Sequence, residues 1–115
     1  MTKGIDYDRL RLAVQLKRRR EGKSIYMAAA ESGVPPASVA NFERGTMPLR
    51  SNILKLARWA GVSLDYLQGR ERAYVIAGAD TLTVIDAALV GDPELTPEAC
   101  LALSDMMRAA YSTVV

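Results

Sequence analysis

Glycine residues divide the first seventy residues into short segments, and this spacing constrains the fold more than any other feature of the sequence. Each segment ends at a glycine: Gly22, Gly33, Gly45, Gly61 and Gly69. Glycine directly after a run of helix-forming residues is typical of a helix C-terminus. Apolar residues recur at helical spacing within the segments, as Leu10 and Val14 do in the first. The pattern predicts five short helices and an all-α fold.

The predicted helices follow these boundaries. We expect helices over residues 7–20, 25–32 and 36–44, a fourth from a Ser51 cap to Gly61, and a fifth from a Ser63 cap to Gly69. Ser24 is the predicted N-cap of the second helix, and Pro36 lies in the first turn of the third. The second and third helices are short and joined by a tight turn, which are the proportions of a helix-turn-helix motif.

The remainder of the chain predicts two more helices. Residues 70–80 show little periodicity and are interpreted as a linker or a weakly helical segment. Either Asp80 or Thr81 caps the next helix, which Gly91-Asp92-Pro93 breaks, and Thr96-Pro97-Glu98 has the residues of a helix start. We therefore predict a first domain over 1–69, a linker over 70–80 and a helical C-terminal segment over 81–115.

Composition excludes several classes of function. The chain has no histidine and one cysteine, Cys100. Disulfides within the chain, the usual zinc sites and histidine-based catalysis are therefore excluded, and no glycine-rich phosphate loop is present. We predict no enzyme activity, no catalytic residue, no metal and no cofactor. The N-terminus lacks the apolar core of a signal peptide and no apolar run approaches about 20 residues, so a cytoplasmic protein is expected.

The charge is divided between the two parts of the chain. Residues 1–70 carry thirteen Lys and Arg against six Asp and Glu, a net charge of +7. Residues 71–115 carry two Arg against seven Asp and Glu, a net charge of −5. A basic first part indicates a polyanion-binding module, and the acidic second part indicates a different role.

The third helix has two contrasting faces. At about 100° per residue, one face combines Val39, Phe42 and Glu43, and the opposite face combines Ala37, Asn41 and Arg44, with Ser38 at its edge. Short polar and small side chains let a helix approach base edges in the major groove of DNA. An ordinary solvent-exposed helix face has the same composition, so the helix alone leaves both interpretations open.

A longer set of residues favours DNA binding. The residues are Arg18, Gly22, Ser24, Ala29, Gly33-Val34, Ser38-Val39, Phe42-Glu43-Arg44-Gly45, Pro48, Leu56-Ala57 and Gly61-Val62-Ser63-Leu64-Asp65-Tyr66-Leu67. On these residues, positions 10–67 resemble the Xre/Cro–CI family of helix-turn-helix DNA-binding proteins, which includes the lambdoid phage repressors. The resemblance implies a five-helix lambda-repressor-like domain in which residues 24–44 read DNA.

The resemblance also implies a set of site residues. It assigns base contacts to Pro36, Ala37, Ser38 and Asn41. It assigns phosphate contacts to Ser24, Tyr26, Arg44, Thr46 and Arg50, and to Arg19, Arg20 and Lys23, which are otherwise solvated charges at a helix end. It implies a structural ion pair between Arg18 and Glu43. Two residues depart from the family pattern. Ile25 occupies a position where family members often have a phosphate-binding glutamine, and Pro35 occupies a position where a residue with a side-chain cap is common.

These observations predict a sequence-specific double-stranded DNA-binding transcriptional regulator in the bacterial cytoplasm. The expected type is a phage or prophage immunity repressor that occludes a promoter. The alternative is an antitoxin-type autorepressor whose C-terminal segment binds a partner protein. We expect residues 81–115 to form a homodimer interface, with capping of the first domain in a monomer as the alternative. A further, minor hypothesis is that Arg72 or Arg108 of the C-terminal part of the chain contacts DNA beside the main site.

Overall fold

The structure is a computed structural model and describes residues 6–63, 67–68 and 80–114. In these residues the regular secondary structure is entirely helical. The helices are α1 (Tyr7–Arg20), α2 (Ile25–Ser32), α3 (Pro36–Glu43), α4 (Arg50–Ala60), α5 (Thr81–Gly91) and α6 (Pro97–Val114). This architecture confirms the predicted all-α class, with two helices in the C-terminal segment.

The helix bounds agree with the glycine and proline positions. α1 and α2 span the predicted residues, and α3 ends at Glu43, one residue before the predicted end. The predicted fifth helix is described only at Leu67 and Gln68, where the Leu67 N–H donates to the Ser63 carbonyl at 3.1 Å. The predicted linker lies outside the described residues except at Asp80. The domain boundaries therefore stay a prediction.

Gly33 makes the turn between α2 and α3. Its φ is +80°, and its N–H donates to the Ala29 carbonyl at 2.9 Å, which closes the last turn of α2. A residue with a Cβ atom is strained in this left-handed conformation. The short connection between the two helices therefore requires glycine at this position.

Side chains cap the helices that begin with a polar residue. The Ser24 Oγ accepts from the Met27 N–H at 3.1 Å, and one Asp80 carboxylate oxygen accepts from the Thr83 N–H at 2.8 Å. Thr96 makes the equivalent bond at the start of α6. Such caps satisfy N–H groups that have no acceptor within the helix. Of the two candidates for the α5 cap, the structure selects Asp80.

The predicted Ser51 cap is wrong. α4 begins at Arg50, and its N-cap residue is Leu49, which offers no side-chain acceptor. The Asn52 and Ile53 N–H groups both donate to the Leu49 carbonyl, at 2.9 and 3.1 Å. Ser51 therefore lies inside the first turn, where its hydroxyl cannot act as the cap.

One apolar core includes both parts of the chain. Its largest fully buried side chains include Phe42 of α3, Leu10 of α1 and Leu56 of α4. Val90 of α5 and Cys100 of α6 belong to the same buried cluster. α1 lies at the centre, because it packs against α3, α4, α5 and α6. The C-terminal helices therefore pack on the helix that also supports α3.

A buried polar network joins α1 to both C-terminal helices. The Arg20 Nη1 donates to Asp86 Oδ2 at 2.6 Å, and the Ser104 Oγ donates to Asp86 Oδ1 at 2.6 Å. The side chains of Arg20 and Asp86 are only 9% and 4% exposed. Both carboxylate oxygens of Asp86 are thus engaged, as a buried charge requires.

A second, more exposed cluster lies at the end of α1. The Arg19 guanidinium contacts Asp105 at 3.2 Å, and Arg108 donates to the Arg19 carbonyl at 3.0 Å and to the Asp105 carboxylate. Arg108 therefore helps to attach α6 to α1. Together with the buried network, this cluster defines how the acidic C-terminal segment sits on the basic end of α1.

Candidate nucleic-acid interface

The two faces of α3 lie in different environments. Val39 and Phe42 are fully buried. Pro36, Ala37 and Asn41 are exposed, and Ser38 is half-buried. The structure thus presents all four candidate base-contacting residues on the accessible side of one helix, with short side chains that allow close approach to DNA.

Arg18 of α1 and Glu43 of α3 form a two-point ion pair. The Arg18 Nε donates to Glu43 Oε2 at 2.8 Å and its Nη2 donates to Oε1 at 2.7 Å. The hydrogen bonds that Arg18 donates to this carboxylate raise the pKa of Arg18. A forked contact restricts orientation as well as distance. The pair therefore fixes the C-terminal end of α3 relative to α1.

Two further side chains of α1 hold the same end of α3. The Arg11 Nε donates to the Phe42 carbonyl at 2.6 Å, and its guanidinium lies 5.0 Å from the centre of the Phe42 ring. The Gln15 Nε2 donates to the Glu43 carbonyl at 3.4 Å. These side chains donate to carbonyl groups in the last turn of α3, where the Phe42 carbonyl also accepts from the Gly45 N–H at 3.0 Å. Neither Arg11 nor Gln15 was predicted from the sequence, although residues 11, 15 and 18 recur at helical spacing on α1.

The candidate phosphate-binding residues occupy two places beside α3. Ser24 and Tyr26 lie at the start of α2, where Tyr26 is 73% exposed. Arg44, Thr46 and Arg50 are exposed between the end of α3 and the start of α4. Cations, hydroxyl groups and helix N-termini are the usual partners of phosphate oxygens.

α3 and α4 both begin without a side-chain cap. The residues at these positions are Pro35 and Leu49, and neither makes a side-chain hydrogen bond to its helix. Neither helix has an acidic residue in its first turn. No carboxylate in these first turns neutralises the positive ends of the two helix dipoles. These ends therefore favour the binding of an anion.

The other three candidate cations are engaged within the protein. Arg20 is buried on Asp86, and Arg19 contacts Asp105. Lys23 contacts Glu21 at 2.6 Å and Glu31 at 2.7 Å, and these carboxylates raise its pKa. All three cations therefore form ion pairs with carboxylates of the same chain. Arg108 is likewise engaged with α1, and Arg72 lies outside the described residues.

A groove of about 230 Å³ runs between α3 and the start of α4. It is lined by Ser38, Asn41, Thr46, Met47, Pro48, Leu49 and Asn52. Met47 and Leu49 are 47% and 74% exposed. Neither apolar residue could be predicted from the sequence to line this groove, because nothing local distinguishes an exposed apolar loop residue from a buried one.

The arrangement of α2 and α3 and the exposed face of α3 define a DNA-binding domain of the helix-turn-helix class. Residues 15–67 match the family model described as Helix-turn-helix, and this part of the chain belongs to that family. The match includes the end of α1 and all of α2, α3 and α4. The resemblance noted from the sequence is thereby confirmed.

Two other comparisons gave no match, neither to a curated protein nor to a solved structure. In residues 6–63, 67–68 and 80–114, no helix has the length and apolar character needed to cross a membrane. The same described residues contain no group of three or more histidine, cysteine, aspartate or glutamate side chains suited to hold a metal ion.

Proposed function

We propose that this protein is a sequence-specific repressor of the phage or prophage immunity type, acting on double-stranded DNA in the bacterial cytoplasm. One observation carries the proposal: the short, polar face of α3 is exposed, while α1 holds the C-terminal end of the same helix. A helix held in this way enters the major groove with a defined orientation. Repression is steric, because the bound protein and polymerase compete for the same promoter.

In this proposal the site residues divide into two groups. Base edges are read by Pro36, Ala37, Ser38 and Asn41 of α3. Phosphate oxygens are bound by Ser24, Tyr26, Arg44, Thr46 and Arg50, together with the uncapped N-termini of α3 and α4. Base contacts provide discrimination between sequences, whereas phosphate contacts provide affinity that decreases with salt.

Substitutions of Asn41 and Arg50 are expected to have different effects. Asn41→Ala should weaken binding to the preferred duplex by about 1–3 kcal/mol and leave binding to random duplex nearly unchanged. Arg50→Ala should weaken binding to both duplexes by a similar factor and reduce the salt slope by about 1, since one phosphate contact is lost. Fluorescence anisotropy titrations at several salt concentrations measure both effects, on a duplex selected from a random pool by the full chain.

Arg58→Ala is the matched control for Arg50→Ala. Arg58 is exposed in the last turn of α4, so the variant removes the same charge from the opposite end of the same helix. It should leave the salt slope almost unchanged. Equal, sequence-independent losses for Asn41→Ala and Arg50→Ala would contradict base reading by Asn41. A wild-type chain without preference for any duplex at low ionic strength would contradict the proposed function.

We also propose that two chains associate through residues 81–115. Apolar side chains on the C-terminal helices remain exposed, among them Val84 at 47%, Met106 at 65% and Val114 at 82%. A two-fold dimer would present two copies of α3 to successive major grooves, about 34 Å apart. Such an arrangement would bind a palindromic operator.

Met106→Glu is expected to convert the dimer to a monomer, because it would place a charge in the apolar interface. Light scattering at micromolar concentration measures the change in mass. The control is Leu49→Glu, which introduces the same charge at an apolar residue that is 74% exposed outside the C-terminal helices. The control should retain the wild-type mass.

The same exposed apolar residues support the alternative of an antitoxin-type autorepressor, in which another protein covers the C-terminal helices. A wild-type chain that stays monomeric both in solution and on DNA would contradict the homodimer and favour C-terminal helices that only cap the first domain. Binding of another protein to the exposed apolar face of the C-terminal helices would favour the antitoxin-type alternative.

A further inference from the structure

Asn41 and Arg44 of the candidate interface are hydrogen-bonded to each other. The Arg44 Nη2 donates to the Asn41 Oδ1 at 2.6 Å, one turn apart along α3. Both residues are exposed, so the bond forms on the face that the proposed function places against DNA. A contact of this length with a charged donor is a strong hydrogen bond.

This bond determines the orientation of the Asn41 amide. A guanidinium has five N–H donors and no acceptor, so the amide atom that it contacts must be the oxygen. The Asn41 NH2 group therefore points away from Arg44. The arrangement engages one lone pair of the Asn41 side-chain oxygen, its only acceptor atom, with a charged donor and leaves two N–H donors available.

The hydrogen-bonding capacity of the pair has a direct consequence for base recognition. Adenine presents one acceptor, N7, and one donor, the N6 amino group, to the major groove, whereas guanine presents two acceptors, N7 and O6. An asparagine with a free oxygen suits adenine, because it accepts from one group and donates to the other. With the guanidinium on its oxygen, Asn41 is a weaker acceptor and a better donor.

We propose that Arg44 is a positioning residue for Asn41 and that the pair reads guanine. This inference rests on the proposed function, since it concerns the same face of α3. The positive charge beside the amide favours the acceptor-rich edge of guanine as well. Arg44 retains N–H groups that do not contact Asn41, so it binds a phosphate oxygen while it orients the amide.

The experiment compares the duplexes selected from a random pool by four full-length proteins: the wild type, Asn41→Ala, Arg44→Ala and Arg50→Ala. The wild type should select a guanine that Asn41→Ala no longer selects. Arg44→Ala should select adenine at that position, because the amide oxygen is released. Arg50→Ala, which removes an equal charge without touching Asn41, should keep the guanine.

Affinity measurements on the selected duplex give the size of the effect. Replacing the guanine with adenine should weaken wild-type binding by about 5- to 150-fold and strengthen binding of Arg44→Ala relative to its guanine duplex. Replacing it with 7-deazaguanine, which lacks the N7 acceptor, should also weaken wild-type binding. Asn41 and Arg44 are exposed, so thermal melting should show that the variants fold like the wild type.

Two results would overturn this inference alone. One is a wild-type preference for adenine at the Asn41-dependent position. The other is an Arg44→Ala variant that selects the same base as the wild type and differs only in affinity, which would make Arg44 a phosphate contact without a positioning role. By contrast, a wild-type chain that selects no sequence at all would overturn the proposed function itself.

Discussion

Asp86→Ala is expected to lower the free energy of unfolding by about 3–5 kcal/mol, the range found when one partner of a buried ion pair is removed. The variant would leave the guanidinium of Arg20, whose side chain is only 9% exposed, without the carboxylate it contacts at 2.6 Å. It would also remove the acceptor of the Ser104 hydroxyl. Urea unfolding followed by circular dichroism measures the loss. Both unfolding curves are fitted with the same dependence of the free energy of unfolding on urea concentration.

Cys100 provides an independent measure of the same change. Its thiol is 1% exposed and donates to the Leu89 carbonyl at 3.2 Å, and burial raises its pKa. Both effects protect the thiol, because the thiolate is the reactive form. If Asp86→Ala loosens the C-terminal helices, a thiol reagent at neutral pH should label this cysteine faster than in the wild type.

The control for Asp86→Ala removes both charges. Arg20→Met combined with Asp86→Leu and Ser104→Ala replaces the network with apolar side chains, so that no buried hydroxyl loses its acceptor. Such a replacement is often neutral or stabilising at buried positions, and this triple variant should recover most of the lost stability. An Asp86→Ala variant with unchanged unfolding and unchanged Cys100 labelling would show that the network does not hold the C-terminal helices on α1.

Glu43→Ala is expected to lower the free energy of unfolding by about 2–3 kcal/mol and to weaken binding to the preferred duplex. The expected loss is below that for a fully buried pair, since the Arg18 side chain keeps 26% of its surface exposed. For a chain of this size the loss corresponds to a fall in melting temperature of roughly 10 °C. DNA binding should weaken even well below that temperature, because α3 loses the ion pair that orients its C-terminal end.

Calorimetry and anisotropy titration measure the two effects of Glu43→Ala separately. Glu94→Ala is the control, because Glu94 is an exposed acid in the connection between α5 and α6 and its replacement makes the same change in net charge. The control should change the melting temperature by no more than about 2 °C. An unchanged melting temperature for Glu43→Ala would refute a structural role for the pair.

The helix bounds could be predicted from the sequence because their signals are local. Gly33 ends α2 through its own backbone conformation, and Ser24 and Thr96 cap helices through bonds to residues three positions away. Such signals depend little on the rest of the fold. The Ser51 cap was wrong because α4 begins two residues earlier than that cap would place it, with Leu49 as an N-cap residue that makes no side-chain hydrogen bond.

The ion pairs could not be predicted in the same way. Arg20 and Asp86 are 66 positions apart, and Arg19 and Asp105 are 86 apart. In the sequence, Arg19 and Arg20 belong to a basic run that is equally consistent with phosphate binding or solvation. Only the packing of α5 and α6 on α1 brings these carboxylates to them. The Arg18–Glu43 pair was anticipated from the family resemblance, whereas Arg11 and Gln15 required the three-dimensional arrangement of α1 and α3.

The central position of α1 limits how this regulator can be rebuilt. One side of the helix holds the end of α3 through Arg18, and its last residues hold the acidic helices through Arg19 and Arg20. Exchanging the C-terminal helices for those of another protein would leave the buried Arg20 guanidinium without Asp86, its partner at 2.6 Å, and with only the longer contact to Glu21 at 3.9 Å. The C-terminal segment is therefore not an interchangeable module, and a working chimera requires that α1 be transplanted together with it.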